Sequence, residues 1–521
     1  MTIDRRGFLT ALGFGGALVA GGAGGGVARA AAGVAASAAP VLPALVRQPV
    51  GSGSRGPARR LVAAPPDWSA LKARLAGRLL QPGDPGYGVA RVGFNELNDG
   101  QFPAAVARCT SVADVQACLE AARGHGVPIA ARSGGHSYLG YSVPNGGLVM
   151  DLRPLARIQT QSDGAVRVGA GARLIEVYAA LARAGRLMPA GSCPTVGVSG
   201  LALGGGIGVL ARKYGLTCDR LVSAEVVTAD SRVVTASACS EPDLYWALRG
   251  GGGGNFGVVT GFTFSTEAVP DLTVFSLTFP AGSAASVTGA WQDWVAGAPP
   301  DLWSNCVVSG GTPPTCQVGG CLVGTAKELN PLLDRLVAAA GTRPVSRSAQ
   351  GKSYLDAMKY MAGCANETIA QCHLKSEGGR LPREAFVAVS RMLPAALDPQ
   401  AVVGLMTGRD GIDLLLDSLG GAVADLAPDA TAFPHRTALA SAQVYASATH
   451  ANRAAVTAAV DGIRDGLAAL GATGAYVNYI DAGLPDWGAA YYGDNLARLK
   501  SVSEQYDPDQ VFAFPQSVAR A

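Results

Sequence analysis

Apolar positions recur at helical spacing in "TSVADVQACLEAARGHG", where Val112, Val115, Cys118, Leu119 and Ala122 fall on one face. Thr110 or Ser111 can cap this helix, Asp114 suits its first turn, and Gly124 or Gly126 ends it. The spacing then shortens. "VPIAA", "GGLVMDL" and "AVRVGAGA" read as short strands, and "LIEVYAALARAG" as a helix closing at Gly185. "AEVVTADSRVVTAS" predicts a hairpin turning at Asp230-Ser231. Residues 85–270 therefore read as one mixed domain of short strands and few helices.

From 271 to 470 the pattern changes to strand-like runs ("TVFSLTF", "NCVVSGG") between amphipathic helices ("LNPLLDRLVAAAG", "ANRAAVTAAVDGIRDGLAALG"). That alternation predicts an α+β domain built on an antiparallel sheet with helices on one face. Residues 471–521, rich in tyrosine and polar turns, read as a return leg to the first domain. Residues 32–84 open in an Ala/Pro/Ser/Gly-rich stretch and are expected to form a leader. Ahead of it, Arg5-Arg6 and Phe8-Leu9 precede a weakly apolar Gly/Ala run ending in "ARA". Residues 1–31 thus resemble a twin-arginine export signal, with the twin-arginine machinery as partner and a secreted or periplasmic destination. An N-terminal membrane anchor is the other reading. The run is too glycine-rich to favour it, so no stable membrane association is expected after removal.

Composition narrows the class. The 521 residues are 48% hydrophobic and 16% charged, which excludes a disordered chain. A net charge of +3 with no basic cluster in the body argues against nucleic acid. No HExxH motif occurs, and five histidines make a metal site unexpected. An oxidising destination permits disulfides. Among the ten cysteines, Cys364 and Cys372 lie close together and Cys306, Cys316 and Cys321 form a second cluster. Pairing is expected in each, while Cys109, Cys118 and Cys239 read as small buried hydrophobes.

Two short matches to dinucleotide motifs mislead. "GGGNFG" fits GxGxxG, but a strand follows it where a Rossmann site needs a helix. "GIGVLA" lacks the preceding strand. The informative signal is joint: "RSGGHSYLG" (132–140), whose glycine turn suits a pyrophosphate, then "GSCPTVGVSGLALGGGIG" (191–208), then a C-terminal "YVNY".

In that order, Arg132 to His136, Gly191 to Gly197, Gly204 to Gly208 and Tyr476 to Tyr479 resemble the berberine-bridge-enzyme-like flavin oxidases. These belong to the PCMH-type, vanillyl-alcohol-oxidase superfamily. The resemblance runs from about residue 85 to the end. It implies an α+β fold, a PCMH-type FAD-binding domain with an inserted substrate domain. It also implies FAD joined covalently to His136 and to Cys193. An electron-poor flavin can accept both a neutral imidazole and a thiolate. A histidine merely bonded within its turn is the alternative.

Further cofactor contacts implied by the resemblance are Arg132, Ser133, Gly134, Gly135 and Ser137 in the first turn, with Val196, Gly197, Gly206 and Gly208 in the second. Asp219, Asn255, Val259, Tyr492 and Asn495 complete them. Tyr479 takes the family's general-base position, with Tyr138 and Gln443 in support; a core tyrosine is the alternative. Val196 stands where the family gates O2, unless it only packs beneath the ring. The implied function is oxidation of an alcohol, either a carbohydrate or a secondary-metabolite hydroxyl, with O2 reduced to H2O2. A dehydrogenase using another acceptor, and a flavin-loaded binding protein without turnover, are the alternatives.

Overall fold

The computed structural model describes residues 66–123 and 125–521. The expected export signal, most of the leader and Gly124 lie outside the described residues. The folded chain begins before the expected boundary at 85. Asp67 caps a helix, Trp68–Arg74, by accepting the N–H groups of Ser69 and Ala70. A strand then follows at Arg78–Leu80 (β1). With only Leu71 buried, that short helix gives the sequence no periodic signal.

Strands Ala105–Arg108 (β2), Ile129–Arg132 (β3) and Leu148–Asp151 (β4) join β1 in a sheet of order β1-β2-β4-β3. It is parallel except at the β1 edge. The helix Val112–Arg123 crosses between β2 and β3 and buries Val115, Cys118, Leu119 and Ala122, as its spacing predicts.

A second, antiparallel sheet follows from Ile158–Thr160 (β5) and Val166–Gly169 (β6). Arg186–Leu187 (β7) lies outside it, and Leu221–Val227 (β8), Val233–Ser237 (β9) and Val258–Phe264 (β10) complete it, in the order β5-β6-β10-β8-β9. The β8–β9 hairpin turns at Ser231, which takes φ +68°. A two-residue strand, Glu267–Ala268 (β11), pairs with β7. One apolar core runs through both sheets and reaches Tyr491, Tyr492 and Phe512 of the C-terminal leg.

The insertion is a seven-stranded antiparallel sheet: Leu272–Thr278 (β12), Leu302–Ser309 (β13), Thr315–Val323 (β14), Ser346–Lys352 (β15), Phe386–Leu393 (β16), Ile412–Ser418 (β17) and Ala440–Ser447 (β18). Its order is β15-β12-β14-β13-β17-β18-β16. Residues alternate between its faces. Cys306, Val308, Leu414, Leu416, Ala442 and Val444 pack in one core with the helices Ala284–Ala296, Ala326–Ala340, Pro399–Met406 and Arg453–Ala469. Asn305, Asp417, Leu415, Gln443 and Ser390 take the opposite phase. Register sets Asn305 beside Asp417, and Leu415 beside Gln443, which in turn lies beside Ser390.

Between Met361 and Phe386 the chain leaves this sheet in an excursion. It is closed by a Cys364–Cys372 disulfide (Cα–Cα 6.1 Å) and by a bridge between Leu374 and Leu381. Glu377 at its tip pairs with Arg173 and lies 3.5 Å from Arg153, and the disulfide packs on Ile175. The expected pairing in the second cysteine cluster does not occur. Cys306 and Cys316 are buried thiols 3.4 Å apart on neighbouring strands, and Cys321 is a buried thiol outside any disulfide. Cys109 and Cys118 are buried, but Cys239 is exposed in the turn after β9. Replacing Cys364 and Cys372 by serine should lower unfolding free energy by about 2–3 kcal/mol, the loop-closure value for so short a ring. Urea unfolding of the purified protein, with and without reductant, measures it.

Candidate active site

The site grows from two turns that touch. Arg132 ends β3 opposite Asp151 at the end of β4, and their side chains pair at 3.3 Å with almost no exposure. Burial works to raise the Asp151 pKa, but Arg132 and Arg153 hold its carboxyl at about 2. Above this pair, Ser133 Oγ donates to the Ala170 carbonyl, and Arg173 Nη1 donates to the Ser133 carbonyl at 3.1 Å. The Cys193 turn hangs on the next helix, Leu174–Arg183. The Leu174 N–H donates to Val196 O at 3.0 Å, and the Ile175 N–H to Pro194 O at 3.1 Å.

Neither turn leaves room for a Cβ at the contact. One on Gly134 would lie 2.2 Å from the Gly197 nitrogen, and one on Gly197 would lie 2.1 Å from Ser133 Oγ. This approach brings the two expected attachment residues to one hydroxyl. His136 Nε2 is 3.0 Å from Thr195 Oγ1, and Cys193 Sγ is 3.7 Å from the same atom. Phe94 stacks on the imidazole, with centroids 4.0 Å apart and planes 16° apart.

Both turns line a cavity of about 400 Å³. Ser133, Gly134, Gly135, His136, Ser137 and Tyr138 face it from the first turn, and Cys193, Val196 and Gly197 from the second. Gly208, Asn255, Val259, Tyr479 and Tyr492 also line it. Arg132, Gly206, Asp219, Asn495 and Gln443 do not. Arg132 braces the turn from below. The Gly206 N–H donates to the Tyr476 hydroxyl at 2.8 Å, and at φ +87° a Cβ there would meet Thr217 Oγ1. Arg436, fully buried, donates to both Asp219 oxygens at 2.8 Å, while Asn495 Nδ2 donates to the Pro428 and Thr431 carbonyls. These contacts fix segment 428–436 to its neighbours. Gln443 reaches the site indirectly, by donating to the Tyr138 hydroxyl.

The cavity wall suits a phosphate-bearing cofactor. Among the described residues, the backbone N–H groups of Gly134, Gly135 and Ser137 have no protein acceptor, which leaves donors in a glycine turn. Ser142 Oγ and Gln516 Oε1 also line the cavity, buried and without a partner. A bound dinucleotide would satisfy such atoms, whose burial without partners is costly.

Tyr479 closes a 3₁₀ turn, Val477–Tyr479. Its ring lies parallel to that of Tyr138 (5.5 Å, 8°) and edge-on to that of Tyr476 (5.0 Å, 78°). The Tyr476 hydroxyl accepts from Gly206, Ile207 and Asn478, and burial still pushes its pKa up to about 12. Tyr476 is thus a fixed neutral anchor beside the half-buried Tyr479, and both line the cavity.

Among the wall residues that escape the sequence reading are Trp303, Asn305, Asp417 and Glu384. Trp303 Nε1 and Asn305 Oδ1 are buried without a partner, and Glu384 accepts from the Tyr445 hydroxyl at 2.6 Å. The available signal was a polar residue in one phase of an otherwise apolar strand, as in "LWSNCVVS" and "IDLLLDS".

A family model for an FAD-binding domain matches residues 103–237, and one described as berberine and berberine like matches 475–519. The first contains both turns and the second Tyr479, so the cavity belongs to an FAD-linked oxidoreductase. An uncharacterised FAD-linked oxidoreductase of Bacillus subtilis, YgaK, is 33% identical over 86% of this chain and 98% of its own. The structure of Physcomitrella patens BBE-like 1 superposes with a TM-score of 0.81 at 31% identity, covering 87% of this chain and 99% of that one. An Acremonium strictum glucooligosaccharide oxidase, described as carrying 6-S-cysteinyl, 8α-N1-histidyl FAD, superposes with a TM-score of 0.79 at 28% identity, covering 87% and 99%. The chain belongs to the berberine-bridge-enzyme-like family of FAD-linked oxidoreductases.

Gly134→Ala and Gly197→Ala should each yield protein depleted of flavin, because backbone and not a flexible side-chain tip opposes the new methyl. The overpacking cost is about 1–3 kcal/mol. The ratio of flavin to protein absorbance after purification reports it. A full flavin complement in both variants would show that the turns can part without consequence.

Proposed function

We propose that this protein oxidises a sugar hydroxyl, using FAD linked to both His136 and Cys193, and passes the electrons to O2 with release of H2O2. The observation that carries the reading is the convergence of His136 and Cys193 on Thr195 in the cavity that also holds Tyr479. The doubly linked flavin named for the glucooligosaccharide oxidase supports it. When bound, FAD supplies the two-electron acceptor.

The chain's own groups do the rest. Tyr479 accepts the substrate hydroxyl proton as hydride departs, a task that needs a base within hydrogen-bond reach. Tyr138 stacks on Tyr479 and has its hydroxyl fixed by Gln443, which holds the base in place. Trp303 offers a buried donor, while Asn305, Asp417 and Glu384 offer acceptors. That wall suits a ligand whose many hydroxyls both donate and accept. Val196, beside the cysteine link, leaves space for O2 that leucine would fill. Residues 1–31 direct export by the twin-arginine route after folding and flavin attachment, to a secreted or periplasmic location.

Tyr479→Phe should fold and keep its flavin, yet reduce it on the order of 10²–10⁴ times more slowly under nitrogen. Stopped-flow bleaching with oligosaccharides measures this, and unchanged kinetics would remove Tyr479 from the mechanism.

Val196→Leu should reduce normally and reoxidise slowly in air. If wild-type reduced flavin itself persists in air-saturated buffer, the protein is a dehydrogenase with another acceptor.

A further inference from the structure

Thr195 is 1% exposed and sits between the two linking side chains. A buried loop threonine ordinarily returns its hydroxyl to nearby backbone. Among the described residues, Thr195 Oγ1 makes no such bond and instead meets His136 Nε2 at 3.0 Å and Cys193 Sγ at 3.7 Å. The backbone around it is fixed by the Pro194 and Val196 carbonyls, which accept from the helix Leu174–Arg183. The hydroxyl is therefore held at the one point within reach of both groups.

A hydroxyl has a single proton to give. Two relays through Thr195 are possible, and they differ in consequence. In one, His136 Nε2–H donates to Oγ1, and Oγ1–H donates to Cys193 Sγ. The imidazole then carries its lone pair on Nδ1, and the sulfur is favoured as thiolate. In the other, Sγ–H donates to Oγ1 and Oγ1–H to Nε2. That order puts protons on Nδ1 and on sulfur and disarms both nucleophiles.

We propose that Thr195 is a positioning residue for flavin attachment, and that its hydroxyl relays in the first sense to arm His136 and Cys193 together. The inference rests on the doubly linked reading above. In each attachment one C–H bond of the flavin and one N–H or S–H bond of the protein are replaced by a C–N or C–S bond. The two electrons and two protons released reduce O2 to H2O2, so each link consumes one O2.

The test follows link formation after FAD is added to full-length chain produced without riboflavin. Proteolysis separates peptides joined through flavin at both residues from singly linked and unlinked ones. Thr195→Val keeps the shape and removes the relay. The double link should then form roughly ten- to a hundredfold more slowly, the effect of losing a hydrogen bond to an ionised group. FAD binding before denaturation should be unchanged. Thr195→Ser should restore the wild-type rate, which a packing role for the methyl would not allow. Equal rates in wild type and Thr195→Val would overturn the relay and leave the doubly linked reading standing. A wild type with no double link would overturn both. If Thr195→Val is insoluble, Thr195→Ala decides: slowed linking that Thr195→Ser does not show supports the relay, and wild-type linking overturns it.

Discussion

Contact between two backbone turns, Gly134 on Gly197, is the constraint from which the site follows. Backbone atoms this close exclude any side chain at either position, so glycine there is a requirement of space, not of φ. The approach is enforced from outside. A buried Arg132–Asp151 pair ends the parallel strands, Arg173 ties down the Ser133 carbonyl, and helix 174–183 holds the cysteine turn by two N–H groups. Such over-determination is what keeps two reactive side chains within reach of one hydroxyl.

The insertion is bound to this unit by polar contacts with little freedom. Arg436 and Asp219 form a buried bidentate pair, which is costly to break because either charge alone would be stranded. Gln443 of β18 reaches Tyr138 in the histidine turn. The antiparallel sheet thus has an apolar face for its helices and a mixed face for the cavity, and one pleat serves both. A one-residue slip in β13 or β17 would exchange Asn305 or Asp417 with core residues, so both faces specify the register.

The helix 112–123, the hairpin at Ser231 and the antiparallel insertion were legible because each rests on local periodicity or turn chemistry. The glycine turns were legible as motifs, and most of the residues named in them line one cavity, with Arg132 and Gly206 behind the wall. The division of the first domain into a parallel and an antiparallel sheet was not, since strands of three to seven residues carry no sign of their partners. Nor was the bracing role of Asp219, Asn495 and Gly206. A buried carboxylate met in sequence has no address, and only the fold shows that Arg436, 217 residues away, is what it faces. The cysteines divide similarly: two close in sequence are joined, whereas Cys306 and Cys316 approach across strands and remain thiols.

The excursion between Met361 and Phe386 has both its feet in the cavity wall, Met361 to Gly363 on one side and Leu381 to Glu384 on the other. Its interior is secured by its own disulfide and by ion pairs at the tip, not by strands of the sheet. Such a segment ties the rim of the cavity to the turns beneath it. Glu377 holds the Arg173 that fixes the Ser133 carbonyl, and the disulfide rests on the Ile175 whose N–H holds the cysteine turn. A change in this one loop is therefore felt both at the cavity rim and at the turns that carry His136 and Cys193.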